Sequence, residues 1–246
     1  MEVDWAQERK RSCLSCWFPV LSEANIPVPR TEVLVLDPSE AWEMCRVLEG
    51  DGSELYRRVC AWVREAADSV GYPAFLRTGQ TSGKHDWDRT CYLAGPNDVQ
   101  QHIASLIEFS EVADMLGLPY NVWAVREMLP TTPLFRCAGY RGFPVVEEYR
   151  CFVRDGRVEC SHPYWPMDAL EDGEPDNPNW RALAESISRE TPAECIALAE
   201  RVAALFDGYW SVDVLKTDRG WYVTDMAVGE VSYHADGCPN MEVRDG

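Results

Sequence analysis

A chain of 246 residues with 46% hydrophobic content and 10 Trp can bury a substantial core, and a formal net charge of -18 argues against nucleic acid as a primary partner, because phosphate backbones are repelled at long range. No apolar run approaches the roughly 20 residues of a membrane span, and the start Met1-Glu2-Val3-Asp4-Trp5 is acidic where a secretory signal is basic and then apolar. The expectation is a soluble, cytoplasmic protein without membrane association, whose cysteines, scattered through apolar segments such as Val59-Cys60-Ala61-Trp62, are mostly buried free thiols.

Residues 4–22 and 53–70 carry helical spacing of Trp, Leu, Val and Ala, and Thr31–Leu36 between them reads as a strand stopped by Asp37-Pro38. This predicts a small α/β lead-in over residues 1–72. Within it, Cys13-Leu14-Ser15-Cys16 has metal-ligand spacing that His234 and Cys238 could complete, although a helix carrying Cys13 and Cys16 needs no metal.

Next, Pro73–Thr78 and Thr90–Ala94 are expected as strands flanking the loop that runs from Arg77 through Gly79-Gln80-Thr81-Ser82-Gly83 to Lys84. Such a loop can fold backbone amides and two cations around a polyphosphate. It is not a Walker loop, because Gly79 to Gly83 is one residue short and His85 follows the lysine; a surface hairpin with two solvated cations has the same appearance. Charge is nearly balanced over residues 74–157, so cations concentrate around this loop and leave room for a small anion. His85, Asp86 and Asp88 at the loop's end are candidates for proton transfer, or are simply solvated.

Asn97-Asp98 predicts a helix running to about Leu116 with Gly117 as its stop, and Asn121–Leu129 a continuous strand halted by Pro130 and Pro133. A hairpin follows from Pro144–Val153 and Val158–Ser161, its turn made by Asp155-Gly156. Strand alternation places Glu148 and Arg150 on one face, opposite Tyr149 and Cys151, as a phosphate or substrate clamp or as a structural ion pair. The acidic, Pro/Asn-rich stretch Asp168–Asn179 reads as a loop or mobile lid, and Trp180–Ser188 and Pro192–Phe206 as helices. A last hairpin, Tyr209–Leu215 and Trp221–Met226, sets Asp213 and Asp225 on adjacent strands among apolar residues. There they could hold Mg²⁺ with Glu230 as a further ligand, or be the polar face of a half-covered sheet.

The order of these features resembles the ATP-grasp superfamily, and within it a small clade, common in phage and bacterial genomes, marked by a strand-borne Arg followed by a Lys. Phe75-Leu76-Arg77 with Lys84 is similar to that signature, Val125-Arg126-Glu127-Met128-Leu129 to the hinge between lobes, and Glu148-Tyr149-Arg150-Cys151-Phe152-Val153-Arg154-Asp155-Gly156 to the family's E-[YW]-R-x-F-V-x-D-G hairpin. Ser211-Val212-Asp213-Val214 and Tyr222-Val223-Thr224-Asp225 resemble its two metal-bearing strands, and assembly proteins of a eukaryotic translation initiation factor are a more distant likeness. One departure stands at Ala227, where the superfamily usually ends E-x-N.

What the resemblance implies is an α+β ATP-grasp fold. Two lobes with antiparallel sheets, residues 73–129 and 130–246, would clasp a nucleotide behind the lead-in. Arg77 and Lys84 would hold the phosphates of ATP. Val125, Glu127, Met128 and Leu129 would hold the adenosine, and Asp213 and Asp225, with Glu230 in place of the missing ligand, the Mg²⁺. Arg150 would neutralise an acylphosphate and Glu148 would orient it. The implied activity is ATP-dependent ligation of a carboxylate to an amine, on an amino acid, peptide or protein. The alternative is an ATP-dependent assembly module that builds no bond, or a chain whose working part is a partner-binding face on residues 1–70. Oligomeric state stays open.

Overall fold

Four strands, β1 (Thr31–Val35), β2 (Ala74–Thr78), β3 (Tyr92–Leu93) and β4 (Val122–Glu127), form an antiparallel sheet in the order β1-β4-β2-β3. The computed structural model describes residues 10–50, 52–113, 118–187, 189–235 and 238. Central β4 is buried from Val122 to Arg126, as its unbroken apolar run requires of a strand covered on both faces. Helix α1 spans Leu14–Glu23, α2 Glu54–Val70 and α3 Val99–Val112. The hydroxyl of Ser53 caps α2 by accepting from the Tyr56 N–H at 3.1 Å, and the helix stops at Gly71, whose φ is +92°. Val59, Val63 and Ala67 of α2 and Ile103 and Ile107 of α3 close over Leu76, Trp123 and Val125 to make the first core. The predicted helix end at Leu116 and Gly117 lies outside the described residues.

A small hairpin, β5 (Phe135–Cys137) with β6 (Phe143–Val145), carries a second apolar cluster with Trp87, Cys91 and Leu170. The periodicity over Pro144–Val153 suggested one strand; Pro144 belongs instead to β6, and the following strand begins at Glu148. Strands β7 (Glu148–Arg154), β8 (Arg157–Pro163), β9 (Trp210–Thr217) and β10 (Gly220–Val228) form the second antiparallel sheet, in the order β10-β9-β7-β8. Its β7–β8 turn has Asp155 at φ 49° and Gly156 at φ 76°, the left-handed pair that tight hairpins need.

Tyr149, Cys151, Val153, Val212 and Val214 pack one face of this sheet against Leu198 and Val202, while Glu148, Arg150, Ser211 and Asp213 alternate onto the other. Leu198 and Val202 lie on a helix at Ala193–Ala203, preceded by helices at Met167–Asp172 and Trp180–Glu185, so these three are α6, α4 and α5. The acidic segment expected as a loop or lid therefore contains a helix, α4. The residues after it are strapped to β5 and the turn that follows it: Ala138 N–H donates to Glu174 O and Gly139 N–H to Gly173 O, both at 2.9 Å, and Asp176 Oδ1 accepts from Arg136 N–H. A segment so bonded is a brace.

The lead-in does not stand apart. β1 and α2 belong to the first sheet and its core, whereas α1 places Leu14, Trp17 and Leu21 in the core of the second sheet. Helix α1 thereby spans both lobes, with Leu14 N–H donating to Gly79 O at 2.9 Å and Ser12 Oγ accepting from Val228 N–H at 3.2 Å. Gly79 is small for this reason, since a Cβ there would collide with Cys13 Sγ and lie 2.9 Å from Val122 Cβ.

Candidate nucleotide-binding site

The free face of the second sheet looks across to β2 and the end of β4. Between them lies a cavity of about 140 Å³ lined by Arg77, Lys84 and Arg126 from one side and Glu148, Asp213 and Asp225 from the other. Phe75, Met128, Leu129, Val146 and Leu215 supply apolar wall. A wider cleft of about 830 Å³ shares Glu127, Met128 and Leu129 with it and is bordered by Arg30, Arg136, Arg141 and Arg219.

Each charge in this cavity has an identifiable support. Arg77 is 5% exposed in its side chain; its Nη1 lies 2.9 Å from Asp225 Oδ1 and its Nε donates to Thr78 O. Arg150 donates twice to Asp213, from Nε at 2.8 Å and Nη2 at 2.9 Å, which is the fork geometry that binds carboxylates most firmly. Tyr164 sits against Lys84 and Arg150: its hydroxyl accepts from Lys84 Nζ, and its ring centroid lies 3.8 Å from that Nζ and 4.7 Å from the Arg150 guanidinium.

Asp213 and Asp225 face each other because β10 breaks its own alternation. The register runs Val223 opposite Val214, then Asp225 opposite Asp213, then Met226 opposite Val212, with Thr224 as the extra residue. In an unbroken register Asp225 would stand opposite Val212, on the packed face. The bulge turns both Thr224 and Asp225 toward the cavity side. Thr224 Oγ1 donates to Glu148 Oε1 at 3.1 Å, and Thr224 O accepts from Arg126 Nη1 at 2.6 Å.

Burial and charge tune these groups. Burial pushes the Glu148 carboxyl up to about 6, against the pull of nearby Lys84 and with Asp213 adding to the rise. Burial also pushes Asp225 upward, but Arg77 outweighs it and holds the carboxyl below its ordinary value. Lys84 is raised although burial opposes its charge, through Tyr164 and Glu148. Arg126 is pushed down to about 9 by burial and by Arg77.

The Glu148 shift predicts a pH effect on stability. Between its ordinary 4.5 and about 6 the native protein holds a proton that the unfolded chain releases, so this contribution is complete below the lower value and is lost as pH rises through the upper. The full loss is about 2 kcal/mol. Urea unfolding of Glu148→Gln should therefore gain on the wild type by about that amount between acidic and neutral pH; a constant difference across this range would assign Glu148 an ordinary acidity.

Of the residues singled out in sequence, Arg77, Lys84, Glu127, Met128, Leu129, Glu148, Asp213 and Asp225 line the cavity, and Arg150 stands behind Asp213. Glu127 occupies the rim, where its Oε1 accepts from Arg30 N–H at 3.0 Å and its Oε2 faces Arg219 Nη1 at 3.8 Å. Val125 is placed elsewhere: its side chain is in the first core and its backbone is paired with Glu32 and Leu76 at the centre of the sheet, which leaves it nothing to offer a base. Glu230 is exposed on a turn after β10 and is not among the residues lining the cavity.

The loop also works differently from expectation. Gly79 N–H donates to Val122 O, and Thr78 Oγ1 accepts from the N–H groups of both Gln80 and Thr81, so these amides close the loop on itself instead of presenting an anion nest. Its side chains Arg77, Ser82 and Lys84 face the cavity. His85 packs against Tyr140 and Trp165, and Asp86 and Asp88 pair with Arg141. Cys13 lies 3.3 Å from Ser15 Oγ and Cys16 is exposed; neither joins the close-set group that contains His234 and Cys238.

Sequence alone assigns no role to Arg126 or Tyr164. Arg126 is 4% exposed, lines the cavity, and its Nη2 is buried without an acceptor among the described residues. A charged residue inside an apolar run was its signal, since such a group must find a partner. Thr224 could have been found from Val223 and Met226, apolar residues three apart in a strand of period two.

Comparison with known proteins places the fold in a family. A model of the ATP-grasp domain, R-two-K clade family 3, matches residues 66–243. The fold is similar to that of C-terminally truncated Cdc123 from Schizosaccharomyces pombe, with a TM-score of 0.55 at 13% identity over 93% of this chain and 87% of that one. Cdc123 from the same organism gives 0.53 at 14% identity, with the same coverage. A RimK domain ATP-grasp protein from Sphaerobacter thermophilus DSM 20745 gives 0.47 at 17% identity, over 90% of this chain and 60% of that one. No curated protein matches in sequence. With more than half its length matched by the family and the same fold in solved structures, the chain belongs to the ATP-grasp superfamily, R-two-K clade family 3.

Proposed function

We propose that this protein is an ATP-dependent ligase that joins a carboxylate to an amine through an acylphosphate, on an amino acid, peptide or protein substrate. The observation that carries this reading is the meeting of Arg77, Lys84 and Arg126 with Asp213 and Asp225 around one cavity. The residues fit a magnesium nucleotide. The buried, unpartnered Nη2 of Arg126 needs an anionic acceptor, and two facing carboxylates are the hard oxygen donors that Mg²⁺ takes. When bound, ATP supplies the phosphoryl group and Mg²⁺ screens its charge.

Arg77, Lys84 and Arg126 hold the phosphates, and Met128 and Leu129 give the adenine an apolar wall at the end of β4, where the chain has left the strand ladders. Glu127 accepts from the ribose at the rim. Arg150, oriented by Asp213, neutralises charge on the transferred group, so that the rate comes from positioning and electrostatics. Glu148, ionised above pH about 6, fixes Thr224 and balances Lys84.

Trapping with hydroxylamine tests the reading: incubation with ATP, Mg²⁺ and a panel of amino acids and peptides should give a hydroxamate and ADP with the right acid alone, and a ligated product when an amine is added. A second reading, an ATP-binding assembly module without ligase activity, is favoured by Ala227, which pairs with Ser211 where a further metal ligand would stand. Tight Mg-ATP binding with no ADP release across the panel would select it.

A further inference from the structure

Away from the nucleotide cavity, three thiol and imidazole groups converge that the proposed ligase chemistry does not use. Cys160 on β8 stands opposite Phe152 on β7, the face that also carries Arg150 two residues earlier. The His234 ring lies flat over Phe152, centroids 3.5 Å apart and planes 16° apart. Its Nδ1 is 3.1 Å from Cys238 Sγ and 4.0 Å from Cys160 Sγ, and the two sulfurs are 2.9 Å apart. Among the described residues this is the group of His, Cys and carboxylate side chains whose ligand atoms all lie within 4.8 Å of one another.

We propose that Cys160, His234 and Cys238 form a zinc site that fastens the chain after β10 to β8. Two thiolates and one imidazole nitrogen are the donors zinc prefers, and a soft pair of sulfurs disfavours magnesium and calcium. The outer hydrogen bond is in place too: the second ring nitrogen, Nε2, is 3.3 Å from Tyr209 Oη, which orients the imidazole and leaves Nδ1 to face the sulfurs. His162, on the same strand as Cys160, accepts from Ala235 N–H at 3.2 Å through Nε2 while its Nδ1 donates to Pro163 O. That bond anchors the residue next to His234 before any ion arrives.

A disulfide fits less well. Its sulfurs stand about 2.05 Å apart, and an oxidised pair would leave the oriented imidazole without a task. Around zinc, sulfurs at about 2.3 Å from the metal lie roughly 3.7 Å from one another, so binding opens the observed pair by somewhat less than an ångström. Cys160 and Cys238 are both half-buried, so a water molecule could complete the four ligands zinc takes. The inference is independent of the ligase reading, since it concerns a site whose metal is read directly.

The test uses the full chain purified under reducing conditions. Elemental analysis should find one zinc per chain, and cobalt exchanged into the protein should show a thiolate-to-cobalt charge-transfer band together with the visible bands of a tetrahedral ion. Cys238→Ser should lose both, whereas Cys16→Ser should keep both. His234→Cys, which retains three ligands, should keep the metal and strengthen the sulfur band, and it serves if Cys238→Ser does not fold. Sub-stoichiometric zinc, a charge-transfer band that survives Cys238→Ser, or an intact mass showing Cys160 and Cys238 oxidised to a disulfide would overturn the proposal.

Discussion

Arg150→Met is expected to abolish ADP release and to lower folding stability by about 3–5 kcal/mol, because it strips Asp213 of a two-point partner and leaves a carboxylate, 7% exposed in its side chain, without compensation. The two effects can be separated. In Arg150→Met/Asp213→Leu the stranded charge is gone, so stability should return to within about 1–2 kcal/mol of the wild type, since a buried ion pair replaced by apolar groups is often neutral or better. Activity should not return, because neither the charge-neutralising cation nor the metal-facing carboxylate remains. Urea unfolding measured beside ADP release distinguishes the outcomes. A stable double variant with wild-type turnover would remove Arg150 and Asp213 from the chemistry, and a single variant of wild-type stability would mean that their ion pair contributes little.

The second large effect concerns magnesium. Asp225 is paired with Arg77, so on the proposed reading ligand and metal would divide that pair, the guanidinium turning to phosphate and the carboxylate to the ion. In Asp225→Asn the first half is already done. Titration calorimetry should then show ATP binding without Mg²⁺ that equals or exceeds the wild type's, while the affinity gained on adding Mg²⁺, about 10- to 100-fold if the ion contributes some 1.4–2.8 kcal/mol, disappears. Isotherms in which Mg²⁺ helps both proteins equally would place the metal on other groups. The variant also leaves Arg77 buried without its carboxylate, so its folding should be checked by urea unfolding in parallel.

Much of the fold was legible because its signals are local. Alternation over Glu148–Arg154, the Asp155-Gly156 turn, the helical spacing over residues 53–70 and the unbroken run at Val122–Val125 each depend on neighbours within a few residues, and all of them formed as read. Arg77, Lys84, Asp213 and Asp225 were likewise visible as charges in apolar or glycine-rich settings. What misled was also local: an acidic, proline-bearing segment has the composition of a loop, yet Glu174 and Asp176 find partners at Ala138 and on β5 and become a brace. Gly79 and its neighbours have the composition of an anion-binding loop, yet Thr78 and Val122 take up their amides.

The amino-acid sequence by itself determined which residues alternate, where the chain turns and which side chains carry the charge, because strand periodicity and turn chemistry are set over short distances. Tertiary structure alone decided which of these groups meet. The extra residue at Thr224 brings Asp225 onto the face of Asp213. Packing puts the apolar face of α1 in the core of the second sheet and pairs β1 into the first. Strand pairing sets Cys160 beside His234 and Cys238, instead of the cysteines whose spacing looked more like a metal motif. The physical reason is that register and packing are settled by the whole buried surface at once, and a one-residue shift in either reverses which face a side chain occupies.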